Sequence, residues 1–260
     1  MTTWTTASAA AELLAAERGR RDRGPLSEEW PELDVALGYA IQDEVLRHKQ
    51  EAGERVVGVK LGLTSRAKQQ RMGISSPLTA WLTDAMLMAP GTPVPMDQLI
   101  HPRAEPEIVF VLGRPLHGPG VTPAVAMAAV ESVVGGIEII DSRYKDFRFT
   151  LPDVIADNAS SAAFAVGGVA VSPVGLDLTL EAALLQVGGR VVDTATGAEV
   201  QGHPGAALAL AANSLGERGL GLEAGWLVLT GGMTDAVFVE RDVGIAAHFT
   251  SLGSIWLPRN

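Results

Sequence analysis

The chain has 260 residues, 47% of them hydrophobic and 19% charged. That balance suits one large globular domain, or one domain with a helical appendage, and excludes a disordered chain. Thirty acidic residues against twenty basic ones give a net charge of −10, which excludes a general affinity for nucleic acid or anionic membranes. Cysteine is absent, so disulfides, zinc–thiolate sites and cysteine nucleophiles are excluded too. Any metal site must use carboxylates and histidine, which favours a hard ion such as Mg²⁺ or Mn²⁺.

Residues 1–16 lack a basic segment followed by an apolar core, so no signal peptide is expected there, and the expected location is the cytoplasm. Residues 1–53 read as a helical region. Ala7 to Arg23 is rich in Ala, Glu and Arg and predicts a surface helix, broken by Gly24-Pro25. Leu33 to Ala52 carries Leu33, Leu37, Ala40, Ile41, Val45 and Leu46 at helical spacing, with Gly53 as its stop.

Residues 54–260 change texture to short apolar runs separated by Gly and Pro. Val56–Leu61, Glu107–Leu112, Gly136–Ile140, Ala163–Val171, Gly225–Leu229, Ala236–Val239 and Gly244–Phe249 read as strands. Pro123–Val134 and Pro204–Arg218 read as helices. Strands outnumber helices and do not alternate with them regularly. The expected fold is α+β, a β-rich mixed sheet or roll behind an N-terminal helical region.

Three carboxylates stand out. Glu105 and Glu107 are two apart, so an extended backbone points both to one face. Pro106 between them cannot donate to a ladder and fits an edge strand or a bulge. Glu138 lies in the apolar run Gly136–Ile140, where a charge is costly unless it is paired or metal-bound. Solvated strand faces and an all-oxygen metal site are both compatible with these positions. Lys60 lies in Gly58-Val59-Lys60-Leu61-Gly62. It either snorkels to the surface or is a buried cation that faces an anionic substrate or moves a proton. Asp141-Ser142-Arg143-Tyr144 and Ala156-Asp157-Asn158-Ala159-Ser160-Ser161 place polar groups beside apolar strands. Arg143, Asn158 and Ser160 are candidates there for holding a carboxylate. The histidines are scattered, and no Gly-x-Ser-x-Gly elbow exists.

In one order the chain carries Gly-x-Lys-x-Gly-Leu-Thr-Ser (58–65), Arg-x-Glu-x-Glu-Ile (103–108), Glu-Ile-Ile-Asp-Ser-Arg (138–143), Ala-Asp-Asn-Ala-Ser (156–160) and Thr-Gly-Gly-Met-Thr (230–234). This combination resembles the hydratase/decarboxylase family of the fumarylacetoacetate hydrolase superfamily, from about residue 33 to the C-terminus. The resemblance implies a fold of the fumarylacetoacetase C-terminal type, with Mg²⁺ or Mn²⁺ held by Glu105, Glu107 and Glu138. It implies Lys60 in the active site and Ser160 near the substrate carboxylate. Hydratases of the family carry an acid in the segment corresponding to Ser76–Asp84; here Leu78 stands at that place. The implied reaction is therefore decarboxylation of 2-oxohex-3-enedioate (4-oxalocrotonate), with Leu78 in an apolar wall that excludes water. A 2-hydroxypentadienoate hydratase and a non-catalytic partner subunit of such a hydratase are the alternatives. The implied partners are a small dicarboxylate 2-oxo acid, further copies of the chain in a homo-oligomer, and a hydratase in complex.

Overall fold

The computed structural model describes residues 4–65, 69–70, 77–89 and 91–259. Ser76 of the segment above lies outside the described residues. Helix α1 (Thr6–Gly19) begins where the Thr5 side chain accepts from the Ser8 N–H. It is followed by the short α2 (Leu26–Glu29) and by α3 (Val35–Glu51), capped by Asp34 on the Leu37 N–H. The chain then enters β1 (Val56–Gly62) and β2 (Leu78–Thr83). Next come β3 (Arg103–Leu112), the single-turn α4 (Pro123–Met127) and β4 (Val130–Ile140). After α5 (Leu151–Ala156) follow β5 (Ser161–Val166), β6 (Ala182–Val187) and β7 (Arg190–Thr196). Helix α6 (Pro204–Glu217) precedes β8 (Leu227–Leu229), β9 (Val237–Phe238), β10 (Ile245–Phe249) and β11 (Ser254–Leu257).

Two sheets form. The larger runs β2-β1-β8-β3-β4-β5, with β9 also on β3; the smaller runs β11-β10-β6-β7. Only β1 and β8 pair in parallel within these sheets; the other ladders are antiparallel. This is the β-rich α+β architecture that the sequence predicts.

Several boundaries differ from the sequence reading. Pro123–Val134 is not one helix: it stops at Met127, and Val130 already belongs to β4. Val133 and Val134 are β-branched and buried on the sheet, so packing overrides the apparent helical run. Strand β5 ends at Val166, and Val171 returns only as an isolated bridge to Val133. Pro106 lies neither at a sheet edge nor in a bulge. It sits inside β3, opposite Ile137. The pairing of β8 covers Val109–Val111 and that of β9 covers Arg103–Ala104, so Pro106 falls in the gap between them. There its carbonyl accepts the Met233 N–H at 2.9 Å, and its missing donor costs no ladder bond.

The N-terminal helices share a core with the residues after β4. Leu13, Leu26, Ile41 and Val45 pack with Tyr144 and Ala156. Gln42 of α3 donates from Nε2 to the carbonyls of Thr79 (3.1 Å) and Ile155 (3.0 Å), tying that helix to β2 and α5. The two sheets meet where Phe249 of β10 covers Gly135 of β4. A Cβ at Gly135 would lie 2.6 Å from the Phe249 ring, and one at Gly136 would lie 2.6 Å from Val109. Gly135→Ala is therefore expected to lower folding stability by about 1–3 kcal/mol, the usual range for overpacking a core. Urea unfolding checks this, and an unchanged midpoint would show that the sheets can separate at no cost.

Candidate metal and substrate site

The antiparallel register of β3 and β4 builds the centre of the site. Glu105 pairs directly with Glu138, and Glu107 pairs with Gly136. Period-two alternation puts Glu105 and Glu107 on one face of β3, and the register adds Glu138 from the next strand. One carboxylate oxygen from each lies within 4.8 Å of the others, and all three residues are buried. At an effective dielectric of ~20, like charges at that distance repel by about 3 kcal/mol per pair. Such a cluster needs positive charge.

Lys60 supplies part of it. It projects from β1, is buried, and holds its Nζ 2.7 Å from Glu138 Oε2 and 3.3 Å from the Ala159 carbonyl. Burial disfavours its charged form, but Glu138, Glu105 and Glu107 outweigh that and hold the ammonium above the usual lysine range. Glu107 responds the other way. Burial first, then the charges of Glu138 and Glu105, push its carboxyl well above the ordinary value, despite Lys60 and the Gly231 N–H. Three carboxylates and one ammonium leave a net of −2, which one divalent cation neutralises.

The donor set fits such an ion. Glu107 Oε2 accepts the Gly231 N–H at 2.6 Å, which fixes the group, while its Oε1 is buried without a hydrogen-bond partner. Glu138 Oε1 accepts from Ser161 Oγ at 2.8 Å. The remaining oxygens form a hard, all-oxygen set suited to Mg²⁺ or Mn²⁺. The backbone of 230–233 passes directly against the carboxylates. Gly231 has φ +109, and a Cβ there would sit 2.1 Å from Thr64 Oγ1; a Cβ at Gly232 would sit 2.1 Å from Glu105 Oε2. The Gly-Gly pair in the sequence is the signal for this close approach. Ser161 stands in the sequence only as one polar residue of a segment.

A cavity of about 490 Å³ opens on this centre. Lys60, Glu105 and Ser160 line it, with Leu63, Leu78, Val154 and Ala159 as an apolar wall. Arg103, Phe147 and Asp235 line it as well. Leu78 fits beside Gly62, where a Cβ would come within 2.9 Å of Leu78 Cδ1. Ser160 is buried and donates from Oγ to Asp157 Oδ2 at 3.2 Å.

Asn158 and Arg143 are not among the residues that line this cavity. Asn158 accepts the Trp81 N–H at 2.8 Å and donates to the Trp81 carbonyl at 2.9 Å. Those bonds pin a run of left-handed residues, Asn158, Ala159 and Ser160, with φ of 49, 53 and 57. That turn aims the Ala159 carbonyl at Lys60 and places Ser160 at the cavity. Arg143 is buried in an ion pair with Asp157, and its Nη2 donates to the Asp157 carbonyl at 2.6 Å.

Residues 35–256 match the family model described as fumarylacetoacetate (FAA) hydrolase C-terminal. A 4-oxalocrotonate decarboxylase of Pseudomonas sp. (strain CF600) is 40% identical over 240 residues, 92% of this chain and 91% of that protein. A 2-hydroxyhexa-2,4-dienoate hydratase of Comamonas testosteroni is 39% identical over 227 residues, 86% of each chain. The solved 4-oxalocrotonate decarboxylase from Pseudomonas putida G7, complexed with magnesium and adipate, superposes with a TM-score of 0.96 at 38% identity, with all of both chains covered. Among the described residues no helix is long and apolar enough to cross a membrane.

The raised pKa of Glu107 makes a prediction about the metal-free protein. Its folded form keeps a proton that the unfolded form releases near pH 4.5, so the folded state binds more protons above that pH. Stability of chelator-treated protein should therefore fall as pH rises from about 4.5 through the elevated Glu107 value, and added Mg²⁺ should restore it. Thermal melting against pH checks this. A rising or flat profile in the chelated protein would contradict the buried, mutually repelling carboxylates.

Proposed function

The chain belongs to the fumarylacetoacetate hydrolase family, and from that premise we propose that it is a divalent-metal-dependent carboxy-lyase. It decarboxylates 4-oxalocrotonate to 2-hydroxypenta-2,4-dienoate and CO₂ in the meta-cleavage degradation of aromatic compounds. The single observation that carries this choice within the family is the apolar wall of Leu78, Val154 and Ala159 beside Lys60. Hydration needs a group that delivers water; the wall offers none at Leu78. The full-length likeness to a decarboxylase solved with magnesium supports the same reading.

Glu105, Glu107 and Glu138 would hold Mg²⁺, or Mn²⁺, in the cavity. When bound, that cation acts as a Lewis acid for negative charge arriving at the C2 oxygen of the substrate. The C5–C6 bond breaks, C6 leaves as CO₂, and the electron pair moves through the conjugated chain to that oxygen. Lys60 stabilises the developing charge from Nζ, and the proton it holds there is available to the dienolate oxygen. The Ser160 hydroxyl, set by the left-handed turn, orients a substrate carboxylate. Leu78 and Val154 keep water from the new diene. Asn158 and Arg143 serve this reading as positioning residues, through Trp81 and Asp157 respectively.

A homo-oligomer, a cytoplasmic location and a complex with a 2-hydroxypentadienoate hydratase belong to the same reading. The product is the compound such a hydratase consumes, and direct transfer would protect a reactive dienol. A second reading, a hydratase acting itself on the dienol, draws on the hydratase relatives and on Asp235, a further carboxylate at the cavity.

The assay is direct. Purified protein with Mg²⁺ should release CO₂ from 4-oxalocrotonate, and Glu138→Gln should lower that turnover by about 100-fold or more. Hydration of the dienol without CO₂ release would move the chain to the hydratase reading. Leu78→Asp should lower CO₂ release about tenfold or more by bringing an acid and water to the apolar wall. Unchanged turnover in Leu78→Asp would remove the wall as the deciding feature.

A further inference from the structure

Arg103 opens β3 two residues before Glu105, so both side chains leave the same face of the strand, and both line the cavity. Its guanidinium carbon lies 4.1 Å from the Phe147 ring centroid and 4.3 Å from that of Phe238. Phe238 is its register partner on β9. Phe147 is held in turn. Its ring lies 4.9 Å from that of His101, whose backbone N–H donates to Asp141 Oδ1 at 2.7 Å. Phe147 and the preceding Asp146 have φ of 55 and 56. A bulky aromatic residue in the left-handed region is strained, and strain of this kind persists where the surroundings hold it in place.

Two rings pack against one guanidinium, and a cation held by aromatic contacts keeps its N–H donors for another partner. Among the described residues Arg103 makes no ion pair, and its Nε is buried without a hydrogen-bond partner. Glu105 of the carboxylate cluster lines the same cavity, and among the described residues no ion pair joins Arg103 to that cluster. An oriented, unpaired fork of donors beside a metal site is built to take a planar anion bidentately.

We propose that Arg103, fixed by Phe147 and Phe238, is the specificity residue that binds the distal carboxylate of the substrate and so selects dicarboxylates over monocarboxylates. The assignment rests on the reading that the 2-oxo acid end of the substrate occupies the metal. The distal carboxylate is the group lost as CO₂, so its charge fades in the transition state. A cation on it strengthens ground-state binding without lowering the chemical barrier. Loss of the contact therefore raises KM and weakens ligand affinity without lowering kcat.

The test compares 2-oxoadipate with 2-oxohexanoate, which carries a methyl group in place of the distal carboxylate, by calorimetry on Mg²⁺-loaded protein. Native protein should prefer 2-oxoadipate about tenfold or more, the scale of a charge-assisted bidentate contact. Arg103→Met should bring the two affinities within about twofold, by weakening 2-oxoadipate alone. Phe238→Leu, which leaves the charge in place but frees the fork, should lose part of the preference. In turnover of 4-oxalocrotonate, Arg103→Met should raise KM about tenfold and leave kcat within about threefold. A preference that survives Arg103→Met, an equal loss for both ligands, or no preference in native protein would overturn the assignment. If native protein shows the preference but releases no CO₂, the proposed reaction fails while the role of Arg103 stands.

Discussion

The repulsion among Glu105, Glu107 and Glu138 is the constraint around which the rest of the structure is arranged. Three buried carboxylates within 4.8 Å would separate, take up protons or draw in water if they were free to move. They cannot separate, because two sit on one strand and the third is its direct cross-strand neighbour. Among the described residues Lys60, the Gly231 N–H and the Ser161 hydroxyl compensate part of the charge, and the Glu107 carboxyl is still held well above its ordinary pKa. Without a cation Glu107 keeps its proton; with all three carboxylates ionised they and Lys60 sum to −2, and a divalent cation is the compact way to cancel that charge.

Holding that cluster requires close backbone approaches, and the glycines mark where they occur. Gly231 and Gly232 bring a loop onto Glu107 and Glu105, Gly135 lets Phe249 of the second sheet pack against β4, and Gly136 lets Val109 of β3 close on the same strand. The helical N-terminus contributes from further away. Gln42 on α3 holds the carbonyls of Thr79 and Ile155, and these flank Leu78 on β2 and Val154 on α5. The apolar wall of the cavity is thus braced by a helix that does not line the cavity itself. Asn158 adds a third fastening by clasping Trp81 of the same strand.

The parts of this that were legible in the sequence are those with local signatures. The two-residue spacing of Glu105 and Glu107, and a charge at Glu138 inside an apolar run, are direct consequences of strand geometry and burial cost. The helical stripe of Leu33–Ala52 was equally plain. Strands β2, β6, β7 and β11 are absent from the sequence reading; β7 is an exposed ribbon without an apolar period, and the short apolar run Pro123–Val134 fits helix and strand alike. Arg143 and Asn158 illustrate another limit. Their polarity was visible, but whether they face a cavity or a buried partner depends on Asp157 and Trp81, and the pairing with Trp81 is long-range. Arg103 was quoted within a motif and passed over, because its two rings come from Phe147 and Phe238, distant in sequence.

Charge counting connects these pieces to the direction of the reaction. With a divalent cation bound, the three glutamates and Lys60 sum to zero, so the centre can accept the 2-oxo acid end but offers no surplus for a second carboxylate. Among the described residues the cavity lining adds one further cation, Arg103, and one further carboxylate, Asp235, in a protein whose net charge is −10. On the proposed assignment a dianionic substrate would be gripped at both ends, while the product has lost the end that Arg103 would hold. Loss of CO₂ converts a ligand bound at two points into one bound at a single point, so the chemical step itself weakens the hold on the product. A pocket with its cations placed in this way favours release of the dienol over its retention, and the apolar wall at Leu78 keeps water from it until it leaves.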